Sequence, residues 1–113
     1  MLPRRHSPHI PSAPQNLSKE SREWWDKLLA QYVLDDPGML ILGNALEALD
    51  RMREAQALLK AEGLVVKDRF GQPRPHPAAA IERDAKGTFL RNMRALGLDL
   101  EPVNPRSGRP SGR

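Results

Sequence analysis

Proline decides where this chain can be helical. Its ring removes a backbone donor and clashes with the preceding turn, so it is tolerated at a helix start and excluded from a helix interior. Of the 11 prolines in 113 residues, seven lie near the ends: Pro3, Pro8, Pro11 and Pro14 before Leu17, and Pro102, Pro105 and Pro110 after Glu101. These end segments hold few apolar residues and cannot bury enough surface to offset the entropy of ordering. Residues 1–16 are therefore expected to form a flexible N-terminal arm and residues 102–113 a flexible C-terminal tail. Residues 17–101 are expected to form a helical oligomerisation core. There is no internal repeat of fixed period and no Gly-rich phosphate loop.

Between the ends, local signals mark three helices. The first opens at Ser18, a capping residue, with Glu20 and Glu23 near the positive end of the helix dipole. Trp25, Leu28, Leu29, Tyr32 and Val33 give it one apolar stripe, and Asp35-Asp36-Pro37-Gly38 stops it. The second helix takes Asp36 as its expected cap and Pro37 as its first helical residue, and runs to about Glu62 with Gly63 as a left-handed terminator. At ~1.5 Å per residue it is roughly 39 Å long. Leu42, Leu46, Leu49 and Met52 form one stripe along it, which Ile41, Ala45, Ala48, Ala55 and Leu59 widen beyond a single face. A helix this long and this broadly apolar needs two neighbours.

From Gly63 to Pro77 the pattern is irregular. Leu64, Val65 and Val66 are strand-like, Phe70-Gly71 reads as a turn, and Pro73, Pro75 and Pro77 forbid a helix. A short hairpin and an ordered loop both fit. The third helix starts at Pro77, carries Ile81, Ala85, Phe89 and Met93 at a spacing of four, and ends at Leu96-Gly97, where Leu98 can close a hydrophobic contact. The expected fold is all-α: three main helices, one of them long and central, with a short extended or hairpin element before the third. A core of about 80 residues is near the lower limit of what one hydrophobic core supports. Burial of the second helix between copies of the chain resolves its length and width together, so a homo-oligomer is expected.

Composition narrows the chemistry. With no cysteine there is no disulfide framework, thiolate nucleophile or Cys-based zinc site, and a reducing cytoplasm fits. No apolar run approaches the roughly 20 residues needed to span a bilayer, and no signal-peptide h-region opens the chain. A soluble, unexported protein is expected. The formal net charge is +4, yet residues 18–100 hold 13 basic and 13 acidic side chains. The surplus comes from Arg4 and Arg5 in front, and from Arg106, Arg109 and Arg113 against Glu101 behind. Arginine interspersed with Pro, Ser and Gly suits an extended segment that pairs with phosphates, and it equally suits a solubilising terminus. Composition leaves both open.

Other candidate groups read more simply as structure. His6 and His9 are three residues apart but lie in the Pro-interrupted arm with no carboxylate nearby, which argues against a metal site. His76 precedes Pro77 and reads as a helix-start residue, and Asp36 beside Asp35 reads as a cap. Trp24 and Trp25 point about 100° apart on a helix, so one is core and the other a packing edge, a subunit contact or a base-stacking surface. No catalytic constellation, metal site or cofactor site emerges.

The order of features is more specific than any one of them. Asn16-Leu17-Ser18 and Glu20 to Trp25 follow a Pro-rich basic start, and the long helix carries Ala48-Leu49-Asp50-Arg51-Met52. Glu62-Gly63-Leu64 leads to Asp68-Arg69-Phe70-Gly71-Gln72-Pro73-Arg74-Pro75-His76-Pro77-Ala78. Glu82-Arg83-Asp84-Ala85 and Phe89-Leu90-Arg91 then run to Leu96-Gly97-Leu98-Asp99 and a Pro-, Gly- and Arg-rich tail. Over residues 14–110 the chain resembles the small terminase subunits of tailed bacteriophages, in particular the short ones with a His-Pro-Ala element and a Leu-Gly-Leu ending.

That resemblance implies a non-enzymatic DNA-packaging component acting in the cytoplasm of the infected host. Small subunits of this kind form a ring, recognise double-stranded viral DNA and hand it to the large terminase subunit, which carries the ATPase and nuclease. The second and third helices would pack between subunits, with Leu42, Leu46, Leu49, Met52, Ile81 and Phe89 at the interface. Arg4 and Arg5, with Lys19, Arg22 and Lys27, would meet phosphates; Arg106, Arg109 and Arg113 would meet DNA or the large subunit. Residues 18–60 lack the short second helix and tight turn of a helix-turn-helix, so readout of phosphates and DNA shape is expected over base-specific readout. The rival reading is a connector-like helical assembly or adaptor protein that oligomerises without binding DNA, which leaves the basic ends unexplained.

Overall fold

The computed structural model describes residues 2–3 and 10–98, and all three expected helices are present. They are α1 (Lys19–Gln31), α2 (Asp36–Glu62) and α3 (Pro77–Leu96). Two small antiparallel pairs accompany them: β1 (Leu2–Pro3) with β2 (Tyr32–Val33), and β3 (Val65–Lys67) with β4 (Pro73–Pro75). Residues 4–9 and 99–113, which hold most of the two basic ends, lie outside the described residues.

Each helix boundary has a local cause. Ser18 caps α1 by accepting from the Ser21 amide. α1 stops earlier than expected, at Gln31, because Tyr32 and Val33 take up extended backbone and pair with Pro3 and Leu2. The cap of α2 is Asp35, one residue before the expected Asp36: its Oδ1 accepts from the Gly38 amide at 2.8 Å and its carbonyl takes the first helical bond, from Met39. Asp36 and Pro37 thereby fall in the first turn, where a missing amide costs nothing. Gly63 ends α2 at φ 87° and ψ 165°, a positive-φ conformation outside the left-handed helical region, and turns the chain directly into β3. Gly97 ends α3 in the left-handed region.

α2 and α3 form an antiparallel helical pair, as the pairings Glu62–His76 and Gln56–Glu82 indicate. α1 lies across the middle of α2, with Ser21 at Leu46 and Asp50 and Glu20 at Arg53. The core between the three helices comprises Leu17, Trp25, Leu29, Leu34, Leu42, Leu46, Leu49, Met52, Ala85 and Leu96. α2 thus finds both its neighbours inside one chain. Leu42, Leu46, Leu49 and Met52 are 0, 2, 5 and 7% exposed, so this stripe is interior and is not surface offered to another copy. Of the six residues expected between subunits, Phe89 is half-buried against the core and Ile81 is exposed.

The expected arm is also shorter than residues 1–16. Ile10 and Ala13 pack on the core, and the carbonyl of Pro11 accepts the Trp25 indole N–H at 2.9 Å. A buried indole needs an acceptor, and the segment before α1 supplies it.

Candidate nucleic-acid and subunit interfaces

α1 carries Lys19, Arg22 and Lys27, the described residues expected at phosphates. All three are exposed, but Glu20, Glu23 and Asp26 on the same helix cancel their charge. Arg22 is engaged: its Nε donates to the Leu17 carbonyl at 3.1 Å and its Nη2 to the Gln15 carbonyl, holding the turn that feeds α1. The Lys27 ammonium lies 4.8 Å from the ring centre of half-exposed Trp24, a cation–π arrangement on the outer face. Trp25 is the core tryptophan. Arg4, Arg5, Arg106, Arg109 and Arg113 fall outside the described residues, as do His6 and His9.

The described positive surplus is elsewhere. The ribbon of β3 and β4 holds Lys67, Arg69 and Arg74 against Asp68, and α3 holds Arg83, Lys86, Arg91 and Arg94 against Glu82 and Asp84. The ribbon is a two-stranded antiparallel hairpin. Its register pairs Val65 with Pro75, Val66 with Arg74 and Lys67 with Pro73. Bonds from the Asp68 amide to the Gln72 carbonyl and from the His76 amide to the Leu64 carbonyl set the phase of the ladder. Pro73 and Pro75 therefore fall at positions facing away from β3, where a missing donor breaks no ladder bond and closes that edge to further strands.

Asp68 organises the turn. Its Oδ1 accepts from the amides of Phe70 and Gln72 at 2.8 and 3.0 Å, and its Oδ2 accepts from Arg74 Nε at 3.1 Å. Chiefly through the Gln72 bond, with Arg74 and Phe70 adding to it, the carboxyl is held below its ordinary pKa. Gly71 takes φ 78° in the turn. The tip presents Phe70, 75% exposed, with the Arg69 guanidinium 5.1 Å from its ring centre. The sequence marks Phe70-Gly71 as a turn, and the structure places it at the hairpin tip.

The root of the ribbon is stapled by His76. Nδ1 accepts the Ala78 amide at 2.9 Å and caps α3, which places the ring proton on Nε2, where it is donated to Glu62 Oε1 at 2.7 Å. The imidazole ties the last residue of α2 to the first turn of α3.

A second feature was not legible in the sequence, because it joins two helices. An open groove of about 680 Å³ runs along α2 and α3. Four carboxylates line it, Glu47, Asp50, Glu54 and Asp84, against the one guanidinium of Arg51. Its floor holds Ala48, Ile81 and Ala85. Among the described residues no group of three or more His, Asp or Glu side chains is arranged to hold a metal ion.

A capped helical pair braced by a third helix, with a basic ribbon at one end and an acidic groove along its side, is a small helical module with two surfaces of opposite charge. Residues 19–102, from the first residue of α1 to beyond the end of α3, match the family described as phage terminase, small subunit. The chain belongs to that family, which has a role in phage DNA packaging. No curated protein and no solved structure matches it.

Proposed function

We propose that this chain is the small terminase subunit that binds double-stranded viral DNA and, as a homo-oligomeric ring, delivers it to the large subunit to begin genome packaging in the cytoplasm of the infected host. The observation that carries this reading is the family match over the whole of α1 to α3. In this assignment the chain is a recognition and regulatory component, and the ATPase and nuclease belong to the large subunit. No helix among the described residues is long and apolar enough to cross a membrane.

DNA contact is assigned to phosphates, which repetition of the positive ends around a ring would engage many at a time. Arg4 and Arg5 are the first contacts, with Lys19 and Lys27 from α1; Arg22 contributes what its two carbonyl partners leave free. Arg106, Arg109 and Arg113 serve DNA or the large subunit.

The test substitutes Arg4 and Arg5 by alanine in the full chain and measures affinity for duplex DNA over a salt series. Substitution is preferable to deletion of residues 1–16, since removing Pro11 would strip Trp25 of its acceptor. Loss of two phosphate contacts per copy is expected to weaken binding and to reduce the salt slope by about 2 for each copy engaged on the DNA. An unchanged slope would remove the arm from the mechanism. A wild-type chain that neither binds DNA nor stimulates the large-subunit ATPase would leave the adaptor reading in its place.

A further inference from the structure

We propose that the β3–β4 ribbon of one copy seats in the α2–α3 groove of a second copy, with Phe70 on the groove's apolar floor and Lys67 and Arg69 against its carboxylates. This contact rests on the ring reading above and specifies how the ring is joined.

The ribbon looks built to be covered. Phe70 is more exposed than any other large apolar residue among those described, Leu64 and Val65 at the ribbon's root are 68 and 59% exposed, and the Asp68 bonds brace the tip. A rigid exposed aromatic flanked by arginine and lysine is the composition of an interface anchor. The groove is its complement in charge and in shape. Its volume suits a few side chains, its floor offers a 45%-exposed Ile81, and its rim is acidic. Among the described residues Glu54 has no ion-pair partner, and Glu47 accepts only from the neutral Asn16 amide. Those two carboxylates are available to incoming cations.

The occupant is a second copy, on three grounds. An acidic rim repels DNA phosphates. The ribbon's opposite charge and apolar tip are carried by the same molecule, so every copy brings both halves of the contact. And the chain does not fill its own groove: no ribbon residue lines it, and its centre lies roughly 20 Å along α2 from the ribbon's root. Complementary patches at different places on one molecule give a head-to-tail contact, the type that closes into a ring. A reciprocal two-fold pair would use the same ribbon and groove twice and stop at the dimer, whereas the head-to-tail contact leaves one ribbon and one groove open at each step and continues to higher species.

The chain has no cysteine, which makes disulfide trapping in the full-length protein clean. Mixing the Phe70→Cys and Ile81→Cys variants under mild oxidation is expected to give a mixed dimer. The double variant is expected to give a ladder of trimers and higher species on a non-reducing gel. Separately, Arg69→Glu or Glu54→Arg is expected to raise the concentration at which the oligomer dissociates, read by light scattering, by roughly tenfold or more. Combining the two reversals is expected to recover most of that loss, with circular dichroism confirming the helices in each case. The contact is overturned if the single-cysteine variants do not cross-link to one another, if Phe70→Cys alone accounts for all the dimer, or if Arg69→Glu and Phe70→Asp keep full oligomer mass. A wild-type chain that is monomeric overturns the ring reading and the contact together, whereas a wild-type oligomer without the cross-link overturns only the contact.

Discussion

Asp50 does more structural work than its half-exposed position suggests. It accepts from the Ser18 hydroxyl at 2.6 Å, the Ser18 amide at 2.8 Å and the Ser21 hydroxyl at 2.6 Å, which ties the start of α1 to the middle of α2. Ser21 is fully buried and also lies 3.2 Å from the Leu46 carbonyl. Burial raises the Asp50 pKa, but the hydrogen bonds from the two serines outweigh it, and the carboxyl sits below its ordinary 3.8. A carboxyl lowered on folding stabilises the fold above its unfolded pKa, and that contribution disappears as pH falls through the folded value. Asp50→Asn is accordingly expected to cost about 1 kcal/mol at pH 7, a melting shift of roughly 4–8 °C. Thermal melts should show the gap between wild type and variant complete above about pH 5 and closing below about pH 4; a gap independent of pH would mean that the charge on Asp50 is immaterial.

At the scale of elements, what could be read in advance divides by the range of the cause. Ser18, Pro37, Pro77, Gly63 and Gly97 act on neighbours a few residues away, and the helices they bound are where the sequence pointed. The shift of the α2 cap from Asp36 to Asp35 is a choice between adjacent, chemically identical side chains, decided by which oxygen reaches the Gly38 amide. The early end of α1 depends on pairing with Leu2 and Pro3, some thirty residues upstream, and no local signal carries that. The hairpin needed the phase of its ladder before its prolines made sense, and Asp68 holds that phase at the turn. Asp68→Ala is expected to leave the helices intact while the Phe70 and Gln72 amides exchange with solvent at least several-fold faster. Hydrogen-exchange NMR checks this, and unchanged protection would assign the turn's rigidity to Gly71 and the prolines.

For the whole molecule, the principal revision concerns what holds one copy together. Apolar periodicity located the α2 stripe correctly, but periodicity cannot say whether the covering surface comes from the same chain. Here α1 and α3 supply it. A single copy is therefore expected to stay folded when the proposed oligomer is diluted apart: sedimentation or light scattering should report falling mass while helical circular dichroism is unchanged. Loss of helicity in step with mass would show that the core is completed between copies. The candidate site was less legible than the fold, since the groove exists only once α2 and α3 lie side by side and the described charge surplus emerges only when α1 is seen to be neutral.

His76 gives the architecture a further consequence. Both ring nitrogens are committed, one to α3 and one to the end of α2, so a single imidazole braces the root from which the ribbon leaves the helices. In any closed circle of identical copies joined through that ribbon, a small angular error is repeated at every joint and summed around the circumference. Changing this residue is then a change of curvature: the circle would close on a different number of copies, or fail to close, even where each joint holds as firmly as before.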